Sequence, residues 1–256
     1  MTDDRSSASF PDHFSGHAFD YARYRPDYPD SLFDYLAAAA PARQLAWDCA
    51  TGSGQAALPL AARFERVVAT DASEQQIAEA SRDPRIEYRV AQAESPGLPD
   101  RSVDLVTVAQ ALHWFDRARF WEEAARVLVR NGVLAVWAYD LLRVSPPVDL
   151  AVRRLAREIV GPWWPPERGV VDQGYGAIEF PFEELSAPTF VMEKAWTLAD
   201  LAGYLRTWSA TRRYFASQGR DPVSLVEPEL FAAWGDPKTP RRVTWTLDLR
   251  VGRSPA

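Results

Sequence analysis

Residues 45–49 are a short apolar run that enters a glycine turn, and from there the chain alternates between helix and strand periods. A helical pattern covers 55–64, with Pro59 disturbing it locally. An apolar strand at 67–70 ends on Asp71. Ser73 then caps a helix to Ser81, whose apolar side carries Ile77 and Ala80. Residues 86–90 read as a third strand. Residues 103–109 are largely apolar, as expected of a central strand covered on both faces. The helix predicted over 116–129 turns Phe120, Ala124, Val127 and Leu128 inward. Asn131 and Gly132 end it, and 133–139 is the fifth strand. Ahead of these elements, Ser31 is the predicted cap of a helix that Pro41 stops. Strand and helix alternating at this spacing specify an α/β fold with a doubly wound, mostly parallel sheet.

The rhythm breaks after Tyr139. Residues 148–160 are helical in pattern, and 161–176 form a loop rich in Pro, Gly and Trp. A strand is predicted at 190–197, a helix at 198–215 and another at 224–234. The last segment, 243–251, alternates strictly, with Val243, Trp245, Leu247, Leu249 and Val251 on one face, which predicts one continuous strand. This half is expected to supply two closing strands and helical inserts placed to cap a site. No internal repeat and no low-complexity tract interrupts it.

Composition narrows the class. A net charge of −6 removes the global basic field that would hold nucleic acid. The single cysteine, Cys49, excludes an intramolecular disulfide framework and fits a reducing compartment; it reads as a small buried apolar residue. No apolar run approaches the about 20 residues of a membrane span. The polar, acidic first ten residues resemble no signal peptide, and the first nine are expected to be disordered. The expectation is a cytoplasmic enzyme, monomer or homodimer. His13 and His17 have helical spacing but no cysteine partner, so no metal site is predicted.

The candidate chemistry sits at Asp48-Cys49-Ala50-Thr51-Gly52-Ser53-Gly54-Gln55. Two glycines permit a tight turn and close approach of a ligand to the backbone, and the following helix start offers free N–H groups. Alone, this is also what a plain strand-to-helix turn looks like. Asp71 sharpens it: it ends the second strand 17 residues after Gly54, at the carboxyl edge where open α/β sheets bind ligands. An acid there accepts both hydroxyls of a ribose; its rival role is to cap the next helix. A nicotinamide fingerprint wants a third glycine where Ala57 stands, and no Tyr-x-x-x-Lys pair follows the fourth strand. A nicotinamide-dependent oxidoreductase is therefore the weaker alternative.

Further blocks carry a resemblance. They are Tyr24-Arg25-Pro26-Asp27-Tyr28-Pro29, Asp71-Ala72-Ser73 with Gln76, Ala93-Glu94, the run from Gln110 through His113-Trp114-Phe115 to Asp116, Arg126-Val127-Leu128, Gly132 to Trp137 with Tyr139, and Leu205-Arg206-Thr207-Trp208-Ser209-Ala210. In order and spacing the chain resembles the UbiE-like class I S-adenosylmethionine-dependent methyltransferases, in the branch that includes trans-aconitate and cantharidin methyltransferases. It departs at Ala50, where many relatives have glycine, and at Gln92, where a common pattern has aspartate. The resemblance implies a seven-stranded Rossmann-like sheet and S-adenosylmethionine as cofactor. It also implies transfer of a methyl group to a small soluble metabolite through a carboxylate, phenol or ring nitrogen. A non-catalytic S-adenosylmethionine-binding protein remains the other alternative. The corresponding division is a tail and lid helix at 1–40, a cofactor-binding core at 41–140, helical cap inserts with one closing strand at 141–241, and a final strand and tail at 242–256.

Residue by residue, the resemblance implies that Asp48, Ala50, Thr51, Gly52 and Gly54 line the methionine and ribose part of the cofactor, with Asp71 on the ribose hydroxyls. Ala72 and Gln76 would flank the adenine, and Gln92, Ala93 and Glu94 meet its edge. Gln110 would sit near the methionine, and Tyr24 fold over the site. Asp48 has a rival role in bonding its own turn. For the acceptor, Arg25 is the candidate anion-binding residue, with Trp114, Tyr139 and Trp208 as pocket walls. His113 is the candidate base, against a role in merely holding its loop. The Arg153-Arg154 and Arg212-Arg213 pairs read as solvated faces.

Overall fold

The structure, a computed structural model, describes residues 24–172 and 174–254. The expected N-terminal tail with His13 and His17 lies outside the described residues. Among these, the first helix is α1 (Asp30–Ala39), followed by β1 (Leu45–Cys49), α2 (Ala57–Ala61), β2 (Arg66–Asp71), α3 (Glu74–Glu79), β3 (Ile86–Val90), β4 (Val103–Ala109), α4 (Arg117–Val127) and β5 (Leu128–Ala138). The second half adds α5 (Pro146–Arg153, continued by a π-helical turn), short turns around α6 (Gly169–Asp172), β6 (Glu183–Glu184), β7 (Val191–Trp196), α7 (Leu198–Arg206), α8 (Ser209–Gln218), α9 (Glu227–Trp234), β8 (Arg241–Thr246) and β9 (Asp248–Arg253).

Seven strands form the main sheet in the order β3-β2-β1-β4-β5-β9-β6. The first five are parallel, and β9 is antiparallel to both of its neighbours. This is the Rossmann-like, mostly parallel sheet expected. Alternation explains its stability. Ala46, Val67, Leu105, Val133 and Ala135 point to a core closed by Leu32, Phe33 and Leu36 of α1 and Leu60 of α2. The intervening Trp47, Val68, Val106, Leu134 and Val136 point to the other core, closed by Phe120, Ala124 and Val127 of α4. Burying both faces makes these strands largely apolar. Asp104 accepts hydrogen bonds from the backbone N–H of Gln44 and Leu45 at 2.8 and 3.0 Å, which fixes the start of β1.

Several expectations need correction. The α1 helix has Pro29, not Ser31, at its cap and no side-chain cap bond. The helix expected over 55–64 shrinks to α2. The α4 helix stops at Val127, and Leu128 already pairs with Val103. Asn131 then takes φ +60° in an irregularity that shifts the register to Leu105 with Val133. The helix expected over 198–215 is two helices. The Thr207 hydroxyl donates to the Tyr204 carbonyl, and Trp208 is extended so that its ring packs on Trp164 and Tyr204.

The strand expected over 243–251 is also two. Its first part, β8, pairs with β7 in a separate two-stranded sheet, while β9 joins the main sheet. Leu247 lies between them and donates its N–H to Phe190. The alternation survives because both parts bury the same side of the chain. The edge of the main sheet is β6, not the strand predicted at 190–197.

Candidate active site

The first cleft is built at the carboxyl ends of the parallel strands. After β1 the backbone turns through Ala50, Gly52 and Gly54, at φ +54°, +55° and +88°. Ala50 thus holds a left-handed conformation that glycine adopts without strain. Gly52 donates its N–H to Asp71 Oδ2 at 2.8 Å, and Ser73 donates its own to Asp71 Oδ1 at 2.9 Å. Asp71 therefore ties the turn after β1 to the start of α3, while the Ser73 side chain accepts from the Gln76 N–H as that helix's cap.

Asp48 lies beneath the turn and not in the cleft wall. Its carboxylate accepts from the Thr51 hydroxyl at 2.5 Å and the Thr107 hydroxyl at 2.8 Å. Burial raises its pKa to about 6 against the opposing effect of these two hydrogen bonds. Between pH 4 and 6 the folded protein thus binds a proton at Asp48 more readily than the unfolded chain, and this contribution to stability falls as pH rises. Asp48→Asn, whose amide bonds both threonines, is expected to match the wild type near pH 4. It should exceed the wild type at pH 7.5 by on the order of 1–3 kcal/mol. Thermal unfolding of both proteins across this range checks it. A constant difference would show that ionisation of Asp48 is not the cause.

The cleft is a cavity of about 370 Å³. It is lined by Ala50, Thr51 and Gly52 after β1, by Asp71, Ala72 and Gln76 at and beyond the end of β2, and by Gln92, Ala93 and Glu94 after β3. Gln110 and Trp114 after β4 and Tyr139 after β5 also line it. Gln110 holds φ +56° and donates its amide to the Tyr139 carbonyl at 2.9 Å. Gly54 is outside this lining. It faces the Tyr88 hydroxyl, which leaves no room for a side chain. Tyr24 is outside it too, with its ring against Gly203 of α7. Tyr28, Gln55, Phe115, Asp116 and Arg119 line the cleft without having been expected there, although Tyr28, Gln55, Phe115 and Asp116 fall in the quoted motifs.

A second cavity, of about 100 Å³, adjoins the first through Gln110, Trp114 and Tyr139. It gathers Arg25, His113 and Trp208, and adds Asp140, Trp164, Arg168, Tyr204 and Arg212. Arg212 is thus part of a cavity wall and not of a solvated face. Arg25 donates to the Tyr139 hydroxyl at 2.9 Å. Arg168 pairs with Asp140 at 3.2 Å and lies 4.0 Å above the Trp164 ring. The two cavities differ in charge. The first is lined by Asp71, Glu94 and Asp116 against Arg119, and the second by three guanidiniums against Asp140. His113 Nδ1 lies 3.2 Å from the Tyr175 hydroxyl. Burial, then the nearby Arg168, lowers its pKa to about 4, so its imidazole is neutral at pH 7. Cys49 is buried, which pushes its thiol up and away from nucleophilic chemistry.

Comparison with known proteins agrees with this geometry. The family described as Methyltransferase domain matches residues 47–136, from β1 to the end of β5. A Dictyostelium discoideum protein provisionally assigned as a methyltransferase is 34% identical over 88% of this chain and 87% of its own. A Mycobacterium tuberculosis protein provisionally assigned as an S-adenosylmethionine-dependent methyltransferase is 38% identical over 40% of this chain and 38% of its own. A solved structure from Anaeromyxobacter dehalogenans, provisionally described as a type II methyltransferase, is 49% identical. It covers 91% of this chain and 99% of its own, with a TM-score of 0.86. The fold and the cleft define a class I methyltransferase. The chain belongs to the methyltransferase family and is an S-adenosylmethionine-dependent enzyme. The nicotinamide reading and the non-catalytic reading are set aside.

Proposed function

We propose that the enzyme methylates a small acidic metabolite on a carboxylate oxygen, and that it falls in the UbiE-like branch with the trans-aconitate and cantharidin methyltransferases. The observation that carries the substrate class is the convergence of Arg25, Arg168 and Arg212 on one small cavity in a chain of net charge −6. That cavity shares Gln110, Trp114 and Tyr139 with the cleft assigned to the cofactor. In this reading Asp71 meets the ribose, Ala72, Gln76, Gln92, Ala93 and Glu94 surround the adenine, and Ala50, Thr51, Gly52 and Gln110 hold the methionine part. Residues 141–241 act as the cap that binds the acceptor, chiefly through Trp164, Arg168, Tyr204, Trp208 and Arg212.

S-adenosylmethionine, when bound, supplies an electrophilic methyl group on a sulfonium. The protein's task is then positioning and exclusion of water. The guanidiniums orient a carboxylate, and the tryptophans keep the cavity dry. A carboxylate is already ionised at neutral pH, so such an acceptor would need only to be held and oriented by the guanidiniums, and no residue would have to remove a proton from it. Among the described residues no helix is long and apolar enough to cross a membrane, and no cluster is suited to a metal.

The test is a panel of small carboxylic acids, phenols and ring-nitrogen compounds with the methyl-labelled cofactor. Label is expected in a base-labile ester of a carboxylic acid. Arg212→Gln should raise the acceptor's KM by about tenfold or more while leaving cofactor affinity unchanged. Transfer confined to phenols or ring nitrogens would overturn the carboxylate assignment, and an unchanged KM would remove Arg212 from the acceptor site.

A further inference from the structure

We propose that His113 serves the methyl acceptor as a neutral hydrogen-bond donor through Nε2, in a tautomer held by Tyr175, and not as a base. This rests on reading the second cavity as the acceptor site. Tyr175 is fully buried in the core beside α4, behind the cavity wall. The backbone N–H groups of His113 and Leu112 interact with its oxygen. The buried hydroxyl hydrogen needs an acceptor, and His113 Nδ1 lies within hydrogen-bond distance at 3.2 Å. A hydroxyl that donates to Nδ1 makes that nitrogen the acceptor and leaves the ring's hydrogen on Nε2.

The Tyr175 backbone is fixed in turn, because its N–H donates to Asp248 at the start of β9. The His113 ring rests against Trp114, 4.9 Å between centroids. Burial also keeps Tyr175 protonated and His113 uncharged. His113 lines the second cavity together with Arg168 and Tyr139, and in this tautomer the hydrogen it has to offer there is the one on Nε2. Such a set receives an electron-rich oxygen, and the carboxylate of the wall, Asp140, is paired with Arg168. Tyr175 touches no acceptor in this arrangement and is a positioning residue.

Two measurements test this separately from the substrate class. Long-range proton–nitrogen NMR of the whole protein, assigned by comparison with His113→Gln among the chain's three histidines, reads the tautomer without any acceptor. Hydrogen on Nε2 at pH 7 is expected, with a mixture of tautomers in Tyr175→Phe; hydrogen on Nδ1 in the wild type would overturn the proposal. The second measurement uses whichever acceptor the panel identifies. The amide nitrogen of Gln stands near the place of Nε2 and that of Asn near Nδ1. His113→Gln should therefore keep kcat/KM within about threefold, while His113→Asn should lose roughly tenfold or more, chiefly in KM. Losses of about a hundredfold or more in kcat for both variants would indicate a base. Full activity in both would mean that His113 does not touch the acceptor. If acids are not methylated but the NMR result holds, the carboxylate assignment fails and the tautomer assignment stands.

Discussion

Asp71→Ala is expected to weaken S-adenosylmethionine binding by well over tenfold, the largest loss of affinity of any single change in the cleft. Its carboxylate already accepts the N–H of Gly52 and of Ser73. Each oxygen has a further lone pair, and the side chain lines the cavity. Removing it takes away charge-assisted hydrogen bonds worth about 1.5–3 kcal/mol each and releases the turn that carries Gly52. Ser73→Ala is the control, because it removes the cap of α3 but leaves the Asp71 carboxylate in the cleft wall, at a cost of about 1 kcal/mol in stability. Calorimetric titration with the cofactor and its demethylated product compares the two. Equal affinities for the two variants would reduce Asp71 to a structural tie.

Gly54→Ala should lower thermal stability by several degrees. The conformation at φ +88° costs a residue with a side chain about 1–2 kcal/mol. The added methyl also meets the Tyr88 hydroxyl, which is held by its hydrogen bond to the Ser81 carbonyl at 2.7 Å. A steric cost of about 1–3 kcal/mol adds to the first, and at this chain length each kcal/mol shifts the midpoint by about 2–4 °C. Tyr88→Phe in the same chain removes the obstructing oxygen but not the backbone strain, so it should restore part of the loss. Complete restoration would assign the whole effect to Tyr88, and none would assign it to the backbone.

The half of the fold from β1 to β5 was readable because the inner strands β1, β2, β4 and β5 are buried on both faces and helices such as α3 and α4 start at capping residues, Ser73 and Asp116. The cleft was readable for the same reason: its residues follow strand ends in sequence order. Asp48 was expected in the cleft wall because a carboxylate at the end of a strand looks the same whether it faces a cleft or two buried threonine hydroxyls. Arg212 was read as solvated because a helix pattern does not reveal which neighbour covers a face. Arg168 sits in a loop without any local signal. The division of residues 241–253 into two strands was hidden because alternation reports which side is buried, not which strand lies alongside. The break at Trp208 depends on an aromatic cluster assembled from distant parts of the chain.

The pairing of Ala138 with Asp248 across β5 and β9 has a consequence for protein engineering. Residues 139–247 leave the main sheet beside the point where they finally rejoin it, as an oversized loop between two adjacent strands that lends the sheet the short strand β6 on the way. Closing such a loop costs only about 0.6 kcal/mol more for each doubling of its length. Transplanting the corresponding segment from a relative with a different acceptor should therefore cost little in loop closure, but the graft must replace the side chains the segment gives to both cores, such as Val148, Leu155, Tyr175 and Phe182, and two details must travel with it. The graft must bring its own two-residue partner for the outer edge of β9, and it must deliver the chain at Leu247 in the extended form that β9 continues. A chimaera joined inside residues 241–246 would interrupt the two-stranded sheet, and one joined inside 248–253 the main sheet.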